Sequence, residues 1–311
     1  MNPSLLNLLE SNRPVILDGG IGTELQRLGA PMDHEAWCAV ALDTHPDLVR
    51  QVHRSYIEAG ADIITVNTYA TTRQALRSGG IEEKFIHWNA RAVQLAQEAL
   101  DDAAPGRDVL VAGSVSTFGN FDRFSDGELE PFFREQAEIL VEQGVDMILL
   151  ETLSSRTSTI VTAQNALTDF DLPVWVAISG VQDQHSGTMS LGVKESPDHS
   201  NSSRAHEPFA DAIQQIMTAG GSALLLMHSP VDMIEPGLSV MGENYSGLLG
   251  AYPNAGYWQR PDWVFVDKIS PGDYLEAAAS WVEAGAKIVG GCCGIGPEHI
   301  SALSSGLSSL P

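Results

Sequence analysis

Short runs of consecutive apolar residues alternate along this chain with longer stretches whose apolar positions recur every three or four residues. That is the rhythm of buried strands followed by amphipathic helices. Eight candidate strands stand out: VILDGG (15–20), DIITVNTY (62–69), VLVAGSVS (109–116), MILLETL (147–153), VWVAISG (174–180), ALLLMHS (223–229), LLGAYPNAG (248–256) and KIVGGCCG (287–294). Their nearly unbroken Val, Ile and Leu content suits a parallel sheet covered on both faces. Helical patterns lie between them, such as 46–61, 83–102, 131–144 and 208–220, several closing on glycine. Eight strand–helix units in 311 residues predict an α/β fold, a (β/α)8 TIM barrel formed as one domain over 1–311. A doubly wound open sheet is the competitor, but DGGIGTEL lacks the G-x-G-x-x-G spacing of its dinucleotide fingerprint.

A barrel places its chemistry where the strands end. Those ends carry Asp18, Asn67 with Thr68 and Tyr69, Ser114 and Ser116, Glu151 with Thr152, His228, Asn254, and the adjacent pair Cys292–Cys293. Singly, Asp18 could cap a turn, Glu151 could serve a structural ion pair and Asn67 could satisfy loop backbone. Their convergence on one rim favours a site. Two neighbouring thiols on a glycine-flanked strand end can both face one thiophilic ion. A disulfide between adjacent residues is strained, and with three cysteines in the whole chain this is not a disulfide-stapled secreted domain. A glycine loop cradling phosphate, or inert buried thiols, are the remaining readings.

Charge removes partners rather than naming one. Forty acidic against 17 basic residues give a formal charge of −23, which disfavours nucleic acid and anionic membranes. No basic leader or long apolar run marks a signal peptide or membrane span, so a cytoplasmic protein is expected. The sequence leaves a homo-oligomer open. Among the other histidines, His53 reads as a packing or surface residue and His299 as a helix-start cap. His185, His199 and His206 fall in a polar segment, 183–206, too long for a routine loop and expected to be a lid or a disordered excursion. Cys38 reads as an ordinary buried thiol.

Taken together, LDGGIGTELQRLG, HRSYIEAGADIITVNTY, GSVSTFG, ETL, YPNAG and GGCCGIGPEHI resemble the zinc-dependent homocysteine S-methyltransferase family, in the family's order and over nearly the whole chain. The resemblance implies a barrel holding Zn2+ through three cysteines, two of them Cys292 and Cys293 here. The third belongs to an Asn-Cys pair ending strand six, where this chain has Met227–His228. Imidazole is also a zinc ligand, so His228 could complete a Cys2His site. The resemblance further implies that Asp18 and Glu151 hold the amino group of homocysteine, with Asn67, Tyr69, Thr152 and Ser114 around the same substrate.

The implied activity is transfer of a methyl group from a sulfonium or quaternary-amine donor, such as S-methylmethionine, S-adenosylmethionine or betaine, to homocysteine. Both partners are small molecules, and Tyr69, Trp37 or Phe118 could face the donor's cation. Replacing one thiolate by imidazole makes the metal less negative, which would acidify a bound thiol but also hold it more tightly. Two other readings stay open: a hydrolase or deaminase using metal-activated water beside Glu151, and a non-catalytic relative with a degraded metal site.

Overall fold

The computed structural model describes residues 2–104, 106–119, 121–153, 156–183, 185–193, 207–266 and 269–308. All eight expected strands form: β1 (Val15–Ile16), β2 (Ile63–Thr65), β3 (Leu110–Ser116), β4 (Met147–Leu153), β5 (Val174–Ile178), β6 (Ala223–Pro230), β7 (Leu248–Asn254) and β8 (Ala286–Val289). Neighbours pair in parallel in chain order, and β1 pairs with β8 through Val15↔Ile288 and Ile16↔Val289. The circle closes between β1 and β2 by the Leu17↔Ile63 bridge, where Asp62 N donates to Ile16 O at 2.8 Å and Asp18 N to Ile63 O at 3.1 Å. The sheet is therefore a closed parallel barrel. β3 and β4 are buried at every position, as continuous apolar runs require of a sheet with a filled interior and a helical jacket.

That jacket comprises α1 (Pro46–Glu58), α2 (Phe85–Ala103), α3 (Asp126–Glu142), α4 (Thr157–Asn165), α5 (Phe209–Ala219), α6 (Ile234–Asn244), α7 (Pro271–Glu283) and α8 (Pro297–Leu307). α3 starts ahead of the proline at which its hydrophobic pattern begins. Ser125 N donates to Glu128 Oε2 at 2.9 Å and Ser125 O accepts from Glu128 N at 3.0 Å, which fixes the first turn and leaves Pro131 inside the helix. Among the described residues no helix is long and apolar enough to cross a membrane.

Two local irregularities shape the mouth. Between β4 and β5 the register runs from Leu150↔Val176 to Leu153↔Ile178, so β4 carries one extra residue, and Thr152 there has φ 51°. Between β6 and β7 it runs from Tyr252↔Met227 to Asn254↔Pro230, so β6 carries one extra residue, and His228 has φ 52°. A side chain with a branched or bulky Cβ pays on the order of 1 kcal/mol or more for that backbone. Bulges of this kind re-aim side chains at strand ends. Thr152 and His228 are both turned by them into the mouth.

The polar segment at 183–206 is structured where it is described. Gly180–Gln182, Met189–Leu191 and Glu207–Pro208 form a small antiparallel sheet, and Val193 reaches the mouth. His199 and His206 lie outside the described residues, and His185 is exposed.

Candidate metal centre and substrate pocket

The GGCC segment is fixed by main-chain bonds to the strands on either side. Gly290 N donates to Ala251 O and Gly291 N to Asp18 O, each at 3.0 Å, and Cys292 N donates to Pro253 O at 2.7 Å. A Cβ on Gly290 would lie 2.6 Å from Leu17 Cβ, and one on Gly20 would lie 2.7 Å from Cys292 O. Glycine at these positions lets the backbone of β1 and the thiol segment touch. The chain then turns out through Gly294 at φ 81°.

Cys292 and Cys293 emerge buried, their sulfurs 3.8 Å apart. His228 Nδ1 approaches Cys292 Sγ to 3.4 Å from across the mouth, and its ring meets Trp263 edge-on at 5.6 Å. One ligand atom from each of His228, Cys292 and Cys293 lies within 4.8 Å of the others. Two soft sulfurs and an imidazole at that spacing fit a thiophilic divalent ion with room left in its coordination shell. Burial, then the neighbouring Cys293, pushes the Cys292 thiol well above its usual range, and His228 only partly opposes this. A bound cation would reverse that balance.

The three residues open into a cavity of about 450 Å³, lined also by Asn67, Tyr69, Glu151 and Thr152. Burial raises the Glu151 carboxyl to about 7, against the hydrogen bond from Ser114 Oγ and the field of His228. Ser114 thus acts behind Glu151 rather than on the wall. Asp18 also stands behind the wall, fully buried, accepting from Thr65 N at 2.6 Å and Thr65 Oγ1 at 3.0 Å. Burial raises its carboxyl well above the carboxylate range; the Thr65 bonds oppose this and the nearby Glu151 adds to it.

Thr152 N donates to Met227 Sδ at 3.2 Å, a weak acceptor for a buried amide. Ser116 Oγ donates to Tyr69 O at 2.7 Å and accepts from Phe118 N at 3.1 Å, holding two aromatic residues of the wall. Asn254 is buried at the end of β7, and its Oδ1 has no partner among the described residues.

Cys38 is more than an ordinary buried thiol. It lines the cavity, and its Sγ donates to Asn67 Oδ1 at 3.2 Å. His299 caps α8 as expected, accepting at Nδ1 from Gly296 N at 3.2 Å. His53 is fully buried in α1, and neither ring nitrogen has a partner among the described residues.

One wall of the cavity is aromatic. Trp37, Tyr69, Phe118 and Trp258 meet with ring centroids 5.1 to 6.4 Å apart across five pairs. Trp258, Arg260 and Trp263 belong to an antiparallel hairpin, Tyr257–Gln259 with Asp262–Val264, which the sequence reading passed over. The signal was there: YWQRPDWV sets aromatic residues on both sides of an Arg-Pro turn.

The molecule is therefore a (β/α)8 barrel with a thiol–imidazole cluster, a buried carboxyl and an aromatic wall at the C-terminal mouth. A family profile described as homocysteine S-methyltransferase matches residues 15–307. Similar curated proteins include homocysteine S-methyltransferase YbgG of Bacillus subtilis (strain 168), 27% identical over 100% of this chain and 99% of that one. Selenocysteine Se-methyltransferase of Brassica oleracea var. italica is 28% identical over 97% of this chain and 91% of its own. The metallated form of the homocysteine methyltransferase MmuM from Escherichia coli shares the fold, with a TM-score of 0.75 and 24% identity over 97% of this chain and 99% of that one. The chain belongs to the homocysteine S-methyltransferase family.

Proposed function

We propose that this protein is a zinc-dependent S-methyltransferase that moves a methyl group from a sulfonium or quaternary-amine donor to the thiol of homocysteine, giving methionine. The observation that carries this reading is the cluster of His228, Cys292 and Cys293 inside one cavity with Glu151 and the aromatic wall. The family's third cysteine is replaced here, and the replacement is itself a metal ligand within reach of the pair. When bound, zinc would supply acidification of the acceptor thiol and hold its sulfur as thiolate.

The chain's own residues account for the rest. The ammonium of the acceptor would meet Glu151, whose carboxyl near 7 ionises readily once a cation lies against it, with the buried carboxyl of Asp18 behind it. Thr152, with its amide resting on a thioether, offers the acceptor's carboxylate a donor that Met227 satisfies poorly. Asn67 is held by Cys38 and Tyr69 by Ser116, so both keep their place without ligand. The aromatic wall faces the donor, whose positive charge is favoured by ring faces and disappears from the leaving group on transfer.

Relatives named for selenocysteine make a selenol a second acceptor worth testing. The free thiols of Cys38, Cys292 and Cys293 fit a reducing cytoplasm. The test is methionine formation from homocysteine across S-methylmethionine, S-adenosylmethionine and betaine, run beside zinc quantification. Product that forms without any added thiol or selenol would turn the reading towards metal-activated water chemistry.

A further inference from the structure

We propose that Arg260 is a donor-specificity residue, holding the carboxylate of a methyl donor whose onium centre rests on the aromatic wall. This rests on the methyltransferase reading above and adds to it the residue that would meet the carboxylate such donors carry.

The cavity is lined by an acidic side chain, Glu151, and by the two thiols. A second carboxylate entering such a space is favoured where it meets a cation. Among the described residues Arg260 is the single lysine or arginine on the lining. It sits at the turn of the hairpin that also supplies Trp258, two residues away in sequence, so one element presents a guanidinium and a ring together. That pairing suits a zwitterion: cation on aromatic face, anion on planar fork.

The hairpin is seated independently of the arginine. Gln26 Nε2 donates to Trp263 O at 3.0 Å, Trp263 N donates back to Gln26 Oε1 at 2.8 Å, and the Trp263 indole donates to Ala255 O at 3.0 Å. Arg260 itself donates through Nε to His34 O at 2.6 Å and pairs through Nη2 with Glu35 at 2.8 Å. Two of the five donors of a guanidinium are thus used to orient it, and bidentate geometry towards a second carboxylate remains within its chemistry.

The transfer step balances without Arg260 changing state. A lone pair of the acceptor thiolate forms the new S–CH3 bond. The electron pair of the broken CH3–S or CH3–N bond stays on the donor heteroatom, which leaves as a neutral thioether or amine, and the acceptor's thiol proton has gone to solvent. Arg260 holds a group that does not react.

The experiment is a binding titration, followed by intrinsic tryptophan fluorescence, of S-methylmethionine against 3-aminopropyl-dimethylsulfonium, its counterpart without the carboxylate. Wild type should bind the first at least about tenfold tighter, the order expected of a charge-assisted bond. Arg260→Gln should remove most of that difference. Arg260→Lys, which keeps charge but loses the fork, should retain part of it. Glu35→Gln, which frees the guanidinium without removing it, should preserve it. Equal binding of the two ligands by wild type overturns the proposal, as does an Arg260→Gln loss that strikes both ligands alike, which would mean that the arginine only holds the hairpin. A wild-type preference that depends on Arg260, in a protein that methylates no thiol or selenol from any donor, would sink the methyltransferase reading while leaving the carboxylate site standing.

Discussion

Nδ1 of His228 lies 3.4 Å from Sγ of Cys292, although 64 residues separate them in the chain. The contact exists because a bulge at the end of β6 puts His228 at φ 52° and because Gly290 lets the thiol segment pack against Leu17 and Asp18, while Gly291 leaves room for Ile295. Ligation by this pair and Cys293 predicts about one zinc per chain in the purified protein. Cys292→Ser and Cys293→Ser should abolish retention. His228→Ala should weaken metal affinity about 10- to 100-fold or more, as judged from ligand and orienting-residue losses at other zinc sites, and His228→Cys, which restores the family's three thiolates, should recover it. Zinc measured against a chromogenic chelator decides the matter, and retention unchanged in His228→Ala would remove the histidine from the site.

Gly290 provides a purely steric test of the same architecture. A methyl group there meets Leu17 Cβ at 2.6 Å and Asp18 O at 3.0 Å, and both belong to β1 and its immediate extension. Gly290→Ala should cost about 1–3 kcal/mol by overpacking and should also lower zinc content, because the thiol segment is what must move. Gly242→Ala in α6 is the control: its Cβ would find only Leu249 Cδ1 at 3.9 Å, and helix propensity should make the change neutral or stabilising by about 0.5–1 kcal/mol. Urea denaturation of both variants checks the pair.

The eight strands were legible because a buried parallel strand is written as an uninterrupted apolar run, and the rim residues followed from where each run stopped. What the pattern could not carry was the one-residue excess in β4 and β6. Nothing in ETL or MHS announces a residue at positive φ, since Thr and His are chosen there against local preference. Nor does sequence distinguish a rim residue on the wall, such as Glu151, from one standing behind it, such as Asp18 or Ser114. That division depends on which way each side chain leaves its strand. Cys38 reads from sequence as an ordinary buried thiol, and the Trp258–Trp263 hairpin goes unread, because both reach the mouth from outside the barrel strands, beyond the strand-end rule.

His53 should set an acid limit on stability. It is fully buried in α1 without a partner, and burial lowers its imidazole to about 4. The unfolded chain binds a proton near pH 6.5 that the folded chain refuses, so the contribution is present above that value and is lost as pH falls from there towards 4. Between pH 7 and pH 5 the loss should be about 2 kcal/mol. His53→Leu, similar in size and without a titrating group, should lack this component. Unfolding free energies of the two proteins at the two pH values provide the comparison, and parallel losses in both would acquit the histidine.

Trp258 should separate donor recognition from acceptor recognition. Its ring lies 5.2 Å from Trp37 and 6.4 Å from Phe118 at centroids, and it is carried by a hairpin that includes neither the thiols nor Glu151. If the wall favours a cationic donor, Trp258→Leu keeps apolar bulk but removes a ring quadrupole worth about 0.5–2 kcal/mol. That corresponds to a roughly 2- to 30-fold fall in kcat/KM for the donor. KM for homocysteine should stay within about twofold, because the contacts proposed for the acceptor lie on β4, β6 and the segment after β8. Initial rates with each substrate varied in turn test this. A matching rise in KM for homocysteine would mean that the hairpin closes over both substrates rather than facing the donor alone.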